Sequence, residues 1–223
     1  MKKSDKKITT VHQHLRHVPI SKKNPNGVTT IHQHLRRLKG TYLDSIEINK
    51  VFKEYDRTSL TYPSTKKLPE FRNADHYDHS IAIWTDYFNK KFNSDPPLDP
   101  DIIKALIASE SGFRPDPPEN RIATGITQIT KETLRILQDP KDEAKDFIFN
   151  KVRQKDLKIP DIAIPMAIRW LFRKKETARS KLAREPNSEE LILEYKGMLK
   201  SGSRLKEEAL KNFRENYARL KQK

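Results

Sequence analysis

The stretch DIIKALIASESGF, Asp101 to Phe113, places a carboxylate where an apolar side chain is expected. Ile103, Leu106, Ile107 and Glu110 recur at spacings of three and four residues, so a helix puts them on one face. That face should dock on a core, yet it ends in Glu110. A carboxylate taken out of water needs a partner or a proton. A carboxyl in a partly apolar cleft can hold a proton near neutrality and give it up as a general acid. The neighbours Ala108, Ser109, Ser111 and Gly112 are small, which leaves room for a bulky ligand at the helix end. A loop rich in Pro, Gly and polar residues follows, and then GITQIT supplies Gln128 and Thr127. An ion pair or a cap on a neighbouring element is the ordinary alternative for such a glutamate.

The elements that must position Glu110 read as helical. Ile81, Trp84 and Phe88 form a stripe in a helix expected over His79–Phe92. NSDPPLDP ends it, and Asp99–Pro100 starts the helix of Glu110, with Pro at the first helical position. Thr130 is placed to cap a short helix near Lys131–Leu137. The pattern of 146–159 is ambiguous. A long helix from about Asp161 to Leu182 turns Ile164, Ile168, Leu171 and Phe172 inward, with Pro165 expected in its first turn, where a missing N–H costs least. A further helix is expected from a Ser188 cap through Leu191, Ile192, Tyr195 and Leu199. A last one from Ser203 spaces Leu205, Ala209, Phe213, Tyr217 and Leu220, with a basic outer face. No alternating strand pattern appears after residue 75. The fold class is therefore mainly α, with a basic, weakly structured N-terminal arm.

The chain has 223 residues and a net charge of +15. Residues 1–40 hold ten Lys/Arg against one Asp, and residues 199–223 hold eight against three Glu, so the middle is nearly neutral. Basic ends suit a polyanion such as an anionic wall polymer, an anionic lipid or nucleic acid. No nucleic-acid module is recognisable, so nucleic acid is not the expected primary partner. The hydrophobic share of 35% supports one buried domain with charged margins. No apolar run approaches the roughly 18 residues of a transmembrane helix. The start MKKSDKKITTVHQHLRHV is positive but lacks an apolar h-region, so classical export is not expected. Cys is absent, which excludes disulfides and thiolate chemistry.

Residues 8–19, ITTVHQHLRHVP, return twenty residues later as VTTIHQHLRRLK. In an extended chain His12 and His14 share a face, as do His32 and His34. Paired His-x-His could hold a transition metal, but no nearby acid or Cys completes a ligand set. Neither a metal nor another cofactor is expected. The boundaries read from these patterns are a His/Arg repeat arm over 1–40, a linker over 41–75, a helical domain carrying Glu110 over 76–200 and a basic amphipathic helix over 201–223.

Glu110-Ser111-Gly112-Phe113 followed by Gly125-Ile126-Thr127-Gln128 resembles the soluble lytic transglycosylase (SLT) domain of the lysozyme-like superfamily. That family carries an apolar helix ending in Glu-Ser-Gly-Phe, a Gly-Leu-Met-Gln-like loop and a later Ala-Tyr-Asn-like motif. The third motif corresponds here to Glu194-Tyr195-Lys196-Gly197. The resemblance covers about residues 79–200. Thr127 stands where Met is usual, Lys196 where Asn is usual, and Glu194 where a small residue is usual.

The resemblance implies a lysozyme-like helical fold and cleavage of peptidoglycan glycan strands between N-acetylmuramic acid and N-acetylglucosamine. It implies Glu110 as the single acid and base and a 1,6-anhydro product. It further implies that Ser111 and Tyr195 orient Glu110, and that Gly125, Thr127 and Gln128 belong with them to the substrate site. Two alternatives stand beside it. One is a goose-type hydrolase that activates water with further acids such as Asp116 and Glu119. The other is a non-enzymatic wall-binding or phage-structural protein. The cell wall is the expected place of action, reached by non-classical export or with a phage particle.

Overall fold

The helix carrying Glu110 begins where its residues direct it to. Asp99 takes the N-cap, its carboxylate accepting from the Asp101 N–H at 2.9 Å, and Pro100 follows at the first position, where no N–H is needed. The helix spans Pro100–Ser111 and stops because Gly112 adopts a left-handed conformation, φ +56°. The structure, a computed structural model, describes residues 8–11, 14–17, 25, 28–31, 34–37, 41–54, 60–117, 122–142 and 146–222. The chain divides into two units, Met1–Thr41 and Tyr42–Lys223.

In the first unit the two sequence repeats pair with each other. Ile8–Val11 runs antiparallel to His34–Arg37, and His14–His17 runs antiparallel to Val28–Ile31. The registers are equivalent, with Thr9 opposite Arg36 and Thr29 opposite Arg16, because the repeat offset is twenty residues. His12 and His32 lie outside the described residues, as do the side chains of His14 and His34, and with them the His-x-His pairs.

The second unit is helical. We number its helices α1 (Ser45–Glu54), α2 (Asp78–Phe92), α3 (Pro100–Ser111), α4 (Lys131–Gln138), α5 (Pro160–Leu182), α6 (Ser188–Tyr195) and α7 (Ser203–Lys221). The expected inward stripes are buried: Ile81, Trp84 and Phe88 on α2, and Ile164, Ile168, Leu171 and Phe172 on α5. Strands in this unit are two-residue ladders such as Ala123–Thr124 with Ile129–Thr130. The ambiguous stretch 146–159 holds Phe147–Ile148, extended, and a 3₁₀ turn over Gln154–Lys158.

Several expectations need correction. Asn187, not Ser188, caps α6: its side chain accepts from the Glu190 N–H at 2.9 Å, and Glu190 returns the bond to the Asn187 N–H. Pro165 lies in the second turn of α5, because the helix starts at Pro160. On α7, Leu205 is half exposed and the buried stripe is Leu210, Phe213 and Leu220. Residues expected to form a linker supply core: Leu43, Ile48 and Leu68 are buried, and Asp44 accepts from the Ile46 and Glu47 N–H groups to start α1. Thr130 does cap α4, accepting from the Thr133 N–H at 3.0 Å.

The largest difference concerns α3. It is buried on nearly every side, Asp101 and Lys104 included. Lys104 Nζ donates to Ser64 O (2.8 Å), Asp75 Oδ1 (2.6 Å) and Asp78 Oδ2 (2.9 Å), so three acceptors share one buried ammonium. Asp101 accepts from the Ser64 N–H at 2.7 Å and from Lys221 Nζ at 2.8 Å. Among the helix pairs, α3 and α7 share the most extensive contact.

Burial pushes the Asp78 carboxyl up to about 6, against the opposing pull of Lys104. A carboxyl raised on folding binds its proton better in the folded state. Its contribution to stability is thus full below the ordinary carboxyl range and is lost as pH rises to about 6. Relative to Asp78→Asn, the wild type is expected to lose on the order of 2 kcal/mol between pH 4 and pH 7. Urea unfolding of both proteins at a series of pH values checks this; parallel curves would contradict it.

Candidate active site

Glu110 occupies the last full turn of α3, and its side chain keeps 16% exposure. The next residue fixes the ground beneath it. Ser111 is buried, and its hydroxyl donates to Ile126 O at 2.7 Å, tying the helix end to the turn of 125–128. That turn is closed by Gln128, whose N–H and side-chain Nε2 both donate to Gly125 O, at 3.1 and 2.8 Å. Thr127 is fully buried, with its hydroxyl donating to Ala163 O of α5 at 3.3 Å.

Gly125 is required here. Its φ is +80°, and a Cβ would stand 1.9 Å from Leu157 O and 2.8 Å from Leu157 C. Backbone cannot give way as a flexible side chain can, so Gly125→Ala is expected to cost about 3 kcal/mol or more. Thermal unfolding of the variant checks this, and an unchanged Tm would contradict it.

Tyr195 ends α6 and reaches the same turn, its hydroxyl donating to Thr127 O at 2.9 Å. Burial, and then the charge of Glu110, hold the phenol well above the ordinary tyrosine range. Tyr195, expected to orient Glu110, bonds through its hydroxyl to the turn. The partner of Glu110 is Lys196, whose ammonium forms an ion pair with Glu110 Oε1. Glu194, the other departure in that motif, is engaged with lysines of α5. It is buried and held by Lys181 Nζ at 2.7 Å and Lys174 Nζ at 3.4 Å, which ties α5 to α6.

Of the six residues singled out from the sequence, Glu110 and Tyr195 keep solvent access. Ser111, Gly125, Thr127 and Gln128 are buried and build the support under the acid. Thr127 in particular has no exposed surface for a substrate contact, because its hydroxyl is spent on α5. Asp116 is exposed and paired with Lys158 at 2.7 Å, while Glu119 lies outside the described residues.

A cleft of about 840 Å³ opens beside the acid. One wall is the end of α3 with Phe71 and Arg114; the other is α7, presenting Asn212, Glu215, Asn216 and Arg219. An ion pair between Arg219 and Glu70 bridges the walls. Neither the turn of 125–128 nor the Tyr195–Lys196 pair of residues lines this cleft. The α7 wall was not singled out from the sequence. The signal is a polar row at 212, 216 and 219, one helical face, which reads equally as a solvated surface. Among the described residues no group of three His, Cys, Asp or Glu side chains could hold a metal ion. No helix of the described residues is long and apolar enough to cross a membrane.

Residues 86–195 match the family model described as the Transglycosylase SLT domain. No curated protein and no solved structure matches the chain. The matched segment runs from α2 through Tyr195 and contains Glu110, the 125–128 turn and the start of the Tyr195–Lys196 motif. The family's members are peptidoglycan lytic transglycosylases of the lysozyme-like superfamily, and residues 86–195 of this chain carry its SLT domain.

Proposed function

We propose that Glu110 alone serves as acid and then as base in cutting the bond between N-acetylmuramic acid and N-acetylglucosamine. The protonated carboxyl gives its proton to the glycosidic oxygen as the bond to the muramyl anomeric carbon breaks. The resulting carboxylate takes the proton of the muramyl C6 hydroxyl, whose oxygen closes onto the same carbon. The product is a 1,6-anhydro sugar, and no water is consumed. Glycosidases in general need two carboxylates at a set separation, one of them to activate water or attack the sugar. An internal nucleophile removes the second role.

The observation that carries this reading is the placement of Glu110 at a helix end on a cleft, with hydrogen bonds of Ser111, Gln128 and Tyr195 tying together the turn that the helix end rests on. Supports of that kind hold a catalytic group to the narrow geometry its chemistry needs. Asp116, a carboxylate available for water activation, is engaged with Lys158. A hydrolytic second reading draws on Glu215, an exposed carboxylate on the opposite wall of the same cleft. The two readings differ in product. Mass spectrometry of the released muropeptides separates an anhydro end from a reducing end.

A further inference from the structure

We propose that Lys196 is a specificity-determining residue. Its ammonium is paired with Glu110, and a carboxylate on the muramyl substituent of the bound strand draws it away. The inference rests on the reading of Glu110 as the acid and names what the same site selects.

The argument starts from the C-terminal end of α6. Lys196 is the C-cap, its backbone N–H donating to Ile192 O and Glu194 O, and Gly197 follows at φ +73°. The backbone is therefore fixed while the four-carbon side chain can swing. Among the described residues the ammonium has one partner, Glu110, although it carries three donors. The lysines that hold Glu194 contrast with it, since two ammonium groups there share one fully buried carboxylate. Both members of the Glu110–Lys196 pair keep some exposure, 16% and 21%, so the ammonium can leave without being stranded in the core.

The pair has a chemical consequence. An ammonium bonded to Glu110 Oε1 takes up the oxygen that a proton transfer would use. Turnover needs the ammonium gone. A neutral sugar offers hydroxyl and amide groups, which are weak competitors for an ammonium already on a carboxylate. A second carboxylate offers an equivalent partner. Muramic acid differs from its neighbour by a 3-O-lactyl group, which ends in a carboxylate or in a peptide carrying carboxylates. That substituent belongs to the sugar whose anomeric bond Glu110 cuts on that reading. Exchange of Lys196 onto it would free Glu110 as the strand settles. In the resembling motif the position is Asn, which has no charge to exchange.

The test uses glycan strands stripped of peptide, so that free lactyl carboxylates remain, and the same strands with those carboxylates converted to amides. The wild type is expected to show a kcat/KM about tenfold higher on the carboxylate strands, one strong charge-assisted contact. Lys196→Asn is expected to bring that ratio near one, with amide strands cut faster than by the wild type. Lys196→Arg is expected to keep the preference. A wild type that treats both strands alike, or a Lys196→Asn variant that keeps the wild-type ratio, overturns the proposal. The ratio can be read whether the product is anhydro or reducing, so a hydrolytic outcome would correct the role of Glu110 and leave this inference standing. Calorimetric binding of both strands to Glu110→Gln and to Glu110→Gln/Lys196→Asn gives a readout without turnover. The single variant should prefer the carboxylate strands and the double variant should not; equal preference in the two contradicts the exchange.

Discussion

Glu110→Gln is expected to lower peptidoglycan cleavage by about 10³-fold, the loss that follows removal of one well-placed proton donor and acceptor. Gln keeps the volume and a carbonyl oxygen for Lys196 but carries no transferable proton. The ion pair lost is partly exposed, and pairs of that kind contribute about 1 kcal/mol or less. The variant should therefore unfold within a few degrees of the wild type. Rates on purified peptidoglycan together with Tm for the two proteins check this. Retention of more than a tenth of the activity would remove Glu110 from the central role. A large fall in Tm would mean that the side chain is structural.

Lys104→Met has the largest expected effect on stability. The residue sits in the middle of α3 with no exposed side-chain surface, and it is the shared donor for Asp75, Asp78 and Ser64 O. Met fits the space but leaves Asp78 buried without its cation. Removing one partner of a buried pair costs about 3–5 kcal/mol. The group can lower that cost by taking a proton, so the loss should be larger at pH 8 than at pH 5. Lys104→Met/Asp78→Asn should recover part of it, because the stranded charge is gone. Chemical denaturation of the single and double variants at both pH values tests the account. A cost below about 1 kcal/mol at pH 8 would show that the network contributes little.

The helical course was legible because it depends on local chemistry. Asp99–Pro100 and Thr130 punctuate the chain by their own hydrogen bonds and backbone preferences, and the structure uses both. The stripes of α2 and α5 were legible for the same reason. The central burial of α3 was not. Lys104 reads as a polar face, and its burial depends on Asp75 and Asp78, which are 29 and 26 residues away. Glu110 was visible as a carboxylate in an apolar stripe, and Ser111 and Gln128 as its companions. Their roles as supports needed the Ile126 and Gly125 carbonyls in place. Lys196 appeared in the sequence only as a departure from a motif, since its contact with Glu110 spans 86 residues. The α7 wall was hidden because the polar row of a cleft and the polar row of a solvated face have the same spacing.

The most direct measurement is the chemistry of the cut end. Purified peptidoglycan is digested with the wild type and with Glu110→Gln, and the soluble muropeptides are resolved by mass spectrometry. The account predicts 1,6-anhydro ends, each lighter by one water than its reducing counterpart, from the wild type and essentially none from the variant. Reducing muramic acid as the only product, or anhydro ends released equally by Glu110→Gln, would contradict it.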